Sequence, residues 1–299
     1  MVLRIACIGK HGQTAQALAA VAACDPSIAL VQADRRVADL RDGASLERFV
    51  DSVKPDAVIN AGAYNLVDRA ESAQAEAYAV NADGPLALAR ITRERGIAFV
   101  HMSTDCVFDG SGTEAHDEDK TPNPLSVYGA SKLAGELAVA DEYPQALTAR
   151  VCWVFSEFGE SFVSKVVGWA GERGVLRIVA DQVGPPTYAP DIASALLRLA
   201  REKVEGASDL SGLLHLAAPD AMSRADMARE IMATSKRLGG PFAEIDAVAS
   251  AEFNAPAKRP LNARLSGVRA TQRLGIVWTP WREALERSVV GVLGRQGRQ

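Results

Sequence analysis

Tyr128 and Lys132 stand four residues apart in the segment Leu125-Ser126-Val127-Tyr128-Gly129-Ala130-Ser131-Lys132. On a helix this spacing places both side chains on one face, with the ammonium beside the phenol. A phenol ordinarily titrates near ~10, too high for an efficient acid or base at neutral pH. A nearby cation favours phenolate, and a shift of about two or three units, at about 1.4 kcal/mol each, would bring the group into a useful range. Chance supplies many such pairs, and a surface Tyr beside a solvated Lys is the competing reading. Support comes from upstream, where an apolar run ends in Ser103-Thr104-Asp105. Thr104 can donate to a substrate oxygen and Asp105 can orient a hydroxyl, although Thr104 equally suits a turn or helix cap.

These groups need a scaffold, and the N-terminus provides its first part. Leu3-Arg4-Ile5-Ala6-Cys7-Ile8 is a short apolar run, followed by Gly9-Lys10-His11-Gly12-Gln13-Thr14-Ala15 and an Ala-rich helical stretch. A strand, a glycine turn and a helix in that order open a dinucleotide-binding unit, with the pyrophosphate at the helix N-terminus. Ala15 stands where a third glycine is common, at a small cost in packing. A second apolar run, Ile28 to Ala33, ends in Asp34-Arg35-Arg36. Asp34 can accept from the 2′-hydroxyl of NAD, whereas Arg35 or Arg36 can pair with the 2′-phosphate of NADP, so the cofactor choice stays open.

Strand patterns at 3–8, 28–33, 56–60, 97–103 and 147–155 alternate with helical patterns at 13–23, 45–53, 70–95 (broken near Asp83-Gly84-Pro85) and 126–140. This alternation predicts α/β class: a Rossmann-type doubly wound parallel sheet with a smaller C-terminal substrate-binding domain. The expected division is 1–150 for the nucleotide-binding domain and 151–299 mainly for substrate, with 176–200 returning to the sheet. Ligands bind beyond the carboxyl ends of such strands. The small residues Ala61-Gly62-Ala63 fall at one such end, and Thr104 and Asp105 at another.

At 299 residues, 48% hydrophobic and 23% charged, the composition is that of an ordinary globular protein. A net charge of −4 carries no basic footprint, so nucleic acid is not an expected partner. There is neither an 18-residue apolar stretch nor a leader-like opening, so no membrane association and a cytoplasmic location are expected. Cys7, Cys24, Cys106 and Cys152 form no C-x-x-C pair, and His11, His101, His116 and His215 are scattered. Their spacing predicts no metal site. His11, inside the glycine turn, is placed to touch phosphate.

The Gly-x-x-Gly-x-x-Ala turn, Ser103-Thr104-Asp105 and Tyr128-x-x-x-Lys132 resemble an extended short-chain dehydrogenase/reductase. Longer stretches narrow the resemblance. Asn60-Ala61-Gly62-Ala63-Tyr64, Val67-Asp68-Arg69-Ala70-Glu71, Thr104-Asp105-Cys106-Val107-Phe108, Tyr128 to Glu136, Arg150 to Phe155, Asp181 to Thr187 and Arg259 to Leu265 resemble the dTDP-4-dehydrorhamnose reductase family, nearly end to end. The resemblance implies NAD(P)H-dependent reduction of a 4-keto dTDP-sugar, with Tyr128 as acid, Lys132 as its partner and ribose ligand, and Thr104, Asp105, Tyr128 and Trp153 at the substrate. It implies a cofactor, NADPH or NADH, held by Gly9, His11, Gly12, Gln13, Asp34, Arg35, Asp39, Leu40, Ala61, Gly62, Ala63, Tyr128 and Lys132.

The chain departs from the family pattern at Asn65-Leu66, Cys106 and Val151-Cys152, positions expected near the sugar. Some members join a homodimer through Mg2+ held by glutamates, one in the first helix. Ala17 is read at that position here, which counts against the metal. Two alternatives accompany this reading: another nucleotide-sugar reductase or epimerase of the extended class, and a non-catalytic regulatory subunit resembling the β subunit of methionine adenosyltransferase.

Overall fold

The computed structural model describes residues 2–207 and 210–296. Six parallel strands form the central sheet: β1 (Leu3–Ile8), β2 (Ile28–Ala33), β3 (Ala57–Asn60), β4 (Ala98–Thr104), β5 (Leu147–Val151) and β6 (Gly212–Leu216). Their spatial order is β6-β5-β4-β3-β1-β2. A strand covered on both faces can be apolar throughout. In β1, Ile5 and Cys7 enter the core beneath one face, and Ala6 and Ile8 enter the core beneath the other. Helices Gln13–Ala22 and Ala189–Val204 cover the first face. Helices Gly43–Val53, Gly84–Glu94 and Val127–Glu142 cover the second, where Leu46, Phe49, Leu88, Phe99 and Val139 meet.

The order reverses between β1 and β3: β1 pairs with β2 on one side and with β3 on the other, and the ligand cleft opens at that switch. Elements 1–150 lie close to the sequence expectation, with two refinements. The segment 70–95 is divided into Val67–Ala70, Gln74–Tyr78, a π-helical turn Ala79–Asp83 and Gly84–Glu94. The expected strand 147–155 is cut in two, because Trp153 adopts φ +43°. Beyond that turn Val154–Phe155 pairs with Thr187–Tyr188, outside the main sheet.

The return to the sheet differs from the expected 176–200. Val175–Val179 instead pairs with Glu244–Val248 in a small separate sheet. The chain comes back through helix Ala189–Val204 and then β6, which pairs with β5. His215 in the middle of β6 interrupts the apolar pattern that would have marked it as a sheet strand. The second lobe has its own core of Phe155, Val163, Val167, Tyr188, Met227, Ile231, Leu285 and Val289. Its final helix, Trp281–Gln296, extends past Gly294 where a frayed tail was expected; residues 297–299 lie outside the described ones.

Candidate active site

The cleft at the carboxyl ends of β1, β2 and β3 is lined by Gly9, His11, Gly12, Asp34, Arg35, Asp39, Leu40, Ala61, Gly62 and Ala63. All were expected there. Gly9 has φ +112°, and a Cβ on it would stand 3.2 Å from the backbone of Ala61, so glycine is required to close the turn against β3. Gly12 caps helix Gln13–Ala22 in extended conformation and leaves the helix's first N–H groups open to the cleft. Gln13 behaves differently from the expectation. Its Nε2 donates to Val154 O (3.3 Å) and its Oε1 accepts from Ser156 Oγ (3.1 Å), so the side chain ties the helix to the second lobe. Only its backbone is left for a phosphate.

The loop Ala61–Ala63 is positioned from below. Asn60 accepts from Gly62 N (3.1 Å) while its amide faces His101 Nδ1 (3.1 Å). At the cleft's inner end the buried Tyr64 hydroxyl has no protein partner among the described residues. Open N–H groups, an open glycine turn and this hydroxyl fit a dinucleotide.

At the ribose position Asp34 accepts from Arg36 N (2.9 Å) and Arg36 Nη2 (3.0 Å), with His11 Nε2 3.6 Å away. Those donors, Arg36 foremost, hold the carboxyl down at about 2. Arg36 is thereby engaged, and Arg35 lines the cleft beside Arg41. Asp39 is similarly occupied by Arg41, at 3.0 and 2.6 Å.

The groups expected to react lie where β4 ends. Ser126 caps helix Val127–Glu142 by accepting from Gly129 N (3.2 Å). Gly129 then lies so close to Cys106 O that an added Cβ would stand 2.1 Å from it. This contact seats Tyr128 beside Thr104. Of the two roles offered by the sequence, Thr104 fills that of turn cap. Its Oγ1 accepts from Cys106 N (3.2 Å), capping the turn Asp105–Val107, and donates to Asp105 Oδ1 (3.2 Å).

Burial raises the Tyr128 phenol above its ordinary value, and Thr104 pulls it part of the way back. Lys132 does not lower it as expected. The ammonium turns onto β4 and donates to Met102 O at 2.7 Å. Burial brings Lys132 itself down to about 8. Desolvation outweighs the cation because both groups are sunk against the sheet.

Asp105 is raised to about 6 by burial, against the opposing charge of Arg224. The Arg224 guanidinium lies 3.5 Å from the centroid of the Trp153 ring and 5.0 Å from that of Phe162, a stacked cation–π arrangement. Burial lowers Arg224 to about 10, and no ion pair to it forms among the described residues. The positive φ of Trp153 turns the indole into this position, with Gly184 packed under it. Cys152 donates to Ala263 O (2.9 Å), and burial pushes its thiol and that of Cys106 well up, so both remain neutral. Of the expected sugar-pocket departures, Cys106 and Cys152 are at the site. Asn65 lines the cofactor cleft, Leu66 is exposed, and Val151 is a sheet residue paired with Thr104.

From Arg224 a groove continues into the second lobe, lined by Phe162, Lys165, Trp169, Arg177, Phe253, Lys258 and Arg259. Arg224 escaped the sequence reading because nothing around it marks a site. Asn81 also escaped it. From the π turn its amide receives Tyr64 N (2.8 Å) and donates to Tyr64 O (3.2 Å) and Ser131 Oγ (3.0 Å), clamping the cleft loop to helix Val127–Glu142. A hint existed, since Asn is a poor helix former inside the segment expected to break. No group of three or more His, Cys, Asp or Glu suited to a metal occurs among the described residues. Ala17 is fully buried in the core shared with helix Ala189–Val204, so that position faces inward.

Fold and site define a reductase of the extended short-chain dehydrogenase/reductase class. The family model described as the RmlD substrate binding domain matches residues 3–293. The dTDP-4-dehydrorhamnose reductase of Sinorhizobium fredii is 37% identical over 292 residues, 97% of this chain and 98% of that one. The chain belongs to the dTDP-4-dehydrorhamnose reductase family. Its fold also matches the crystal structure of a dTDP-4-dehydrorhamnose reductase from Clostridium acetobutylicum, with TM-score 0.87 and 30% identity over 96% of this chain and 99% of the other. The Bacillus anthracis enzyme, solved in complex with NADP, gives TM-score 0.87 and 29% identity over 97% and 99%. Among the described residues no helix is long and apolar enough to cross a membrane.

Proposed function

We propose that this chain reduces the 4-keto group of dTDP-4-dehydro-L-rhamnose to give dTDP-L-rhamnose, using NADPH or NADH. The observation that carries the reading is that Tyr128, beside Thr104 and on the helix that carries Lys132, packs in one cluster with Tyr64, which lines the cleft shaped for a dinucleotide. The cofactor supplies the hydride. Gly9, Gly12 and the N-terminus of helix Gln13–Ala22 hold its phosphates, Asp34 and Arg35 its adenosine ribose, and Lys132 its other ribose.

Tyr128 is the acid. Burial keeps the phenol protonated at neutral pH, and a forming alkoxide is a far stronger base than phenolate, so transfer runs toward the sugar oxygen. Thr104 directs its hydroxyl at the same oxygen. Trp153 packs against the sugar. Arg224 answers the substrate's diphosphate, with Lys258 and Arg259 further along the groove and aromatic walls at Phe162, Trp169 and Phe253 for the base. A cytoplasmic location and a homodimer belong to the same reading.

Incubating the protein with dTDP-4-dehydro-L-rhamnose and NADPH and following absorbance at 340 nm tests it. Loss of absorbance with formation of dTDP-L-rhamnose supports it. An NAD that stays bound through purification, with no net oxidation, would favour an epimerase, and absence of turnover with either cofactor would favour a regulatory subunit.

A further inference from the structure

Beneath Lys132 runs a buried polar chain for which reduction as described above has no use. Glu136, one helical turn beyond Lys132, is 6% exposed, and Arg150 in β5 is 2% exposed. They form a bidentate pair, Arg150 Nε to Glu136 Oε1 at 2.8 Å and Nη2 to Oε2 at 2.6 Å. Arg150 Nη1 is 3.4 Å from His215 Nε2, and its guanidinium lies 4.9 Å from the Phe108 ring centroid. His215 Nδ1 faces His116 O at 3.1 Å. A carbonyl only accepts, so the ring proton sits on Nδ1 and Nε2 is left to accept from Arg150. Burial and the Arg150 charge bring His215 down to about 3, so it stays neutral and Arg150 has one counter-charge, Glu136.

A buried ion pair recovers its desolvation cost poorly, and apolar replacements of similar size are often neutral or stabilising. Stability alone is therefore a weak reason for this one. Its neighbour is the ammonium the reaction depends on. One of the three Lys132 protons goes to Met102 O. Around Lys132 the titratable groups are Glu136 and Tyr128 on its own helix and His101 on β4. His101 is fully buried and held neutral by burial and by the Lys132 charge. Glu136 is thus the negative group acting on the ammonium.

We propose that Glu136, fixed by Arg150, is a positioning residue for Lys132: its carboxylate keeps the buried ammonium charged and aligned along the helix toward the cofactor ribose. Arg150 is the brace that fixes the carboxylate's orientation. The proposal rests on the assignment of Lys132 as ribose ligand. Burial works against the ammonium, drawing Lys132 to about 8, and Glu136 opposes that fall. Without Glu136 the proton leaves at lower pH, and cofactor affinity is lost with it.

The test is NADPH binding followed by fluorescence between pH 6.5 and 10, which needs no substrate and so stands apart from the identity of the sugar. The double variant Glu136→Gln/Arg150→Met removes both charges and orphans neither. At pH 6.5 its Kd should stay within about threefold of wild type, and at pH 8.5 it should be about tenfold weaker, the size expected of a one-unit shift. Arg150→Lys, which retains a cation beside an ionised Glu136, should restore most of the alkaline affinity. Glu136→Gln alone provides the same reading if the double variant does not fold. A folded variant lacking Glu136 whose affinity follows the wild-type pH curve would overturn the proposal, as would an Arg150→Lys curve displaced as far as that of the double variant.

Discussion

The two ends of the catalytic cleft are built on different principles. The cofactor end is a set of backbone turns from residues close together in sequence: Gly9 to Gly12, Asp34 and Arg35, and Ala61 to Ala63. Its two carboxylates are already paired with solvent-facing arginines, Asp34 with Arg36 and Asp39 with Arg41. The substrate end gathers Thr104, Asp105, Tyr128 and Arg224 from four separate elements and Cys152 and Trp153 from a strained turn, and it buries all of them but the half-buried Trp153 and Arg224. Exposed pairs contribute little and tolerate change. Buried groups feel each other's fields, and a single removal leaves partners without compensation. The cofactor end should therefore be forgiving and the substrate end should not.

The sharpest break in that comparison is Tyr128→Phe, which removes one oxygen. It should lower kcat by about 10^3-fold or more while the NADPH Kd measured by fluorescence stays within about threefold. A variant with near wild-type kcat would remove Tyr128 as the acid. Arg224→Leu comes next. Losing a charge-assisted contact in a desolvated site should raise KM for the dTDP-sugar by roughly 50-fold, with dTDP inhibition weakened in parallel and cofactor affinity unchanged. If KM holds, Arg224 serves only to hold Trp153.

Asp105→Asn sharpens the contrast through stability. The folded-state carboxyl sits at about 6, above its ordinary value. A raised acid binds its proton more tightly in the native state, so stability falls as pH rises from about 4 to 6, and the full penalty remains at neutral pH. Asn carries no such penalty, so this variant should be more stable than wild type by about 3 kcal/mol at pH 7.5 and show little gain at pH 4, by urea denaturation. A variant less stable than wild type at pH 7.5 would mean that Asp105's hydrogen bonds outweigh its burial.

The smallest effect is expected at the cofactor end. Arg35 lines the cleft and is free of the Asp34 pair that engages Arg36. Both cofactors should work, with NADPH modestly ahead, and Arg35→Ala should shift kcat/KM by about tenfold toward NADH. Strict NADH use by the wild type would make Asp34 the sole arbiter.

The order of elements and much of the cofactor cleft were legible in the sequence, because the information is local. A glycine turn, a run of small residues after a strand and a Tyr-Lys pair at helical spacing are specified within a few residues of themselves. The first 150 residues alternate so regularly that five of the six sheet strands could be placed. The sixth, β6, was hidden because His215 sits in its middle, and a buried histidine makes sense only with Arg150 and His116 O around it.

Tertiary structure alone decided the fields at the reacting groups. Lys132 turns to Met102 O, so the phenol is governed by burial and Thr104. Gln13 is drawn to Val154, more than a hundred residues on. Trp153 is aimed by its own positive φ, and Arg224 arrives from the second lobe to meet it and Asp105. Desolvation and electrostatics depend on what packs around a group from every direction, and the partners named here lie 24 to 141 residues apart in the chain. The sequence by itself determined which residues could do the chemistry, and packing decided which of them are charged, which are held, and what each one faces.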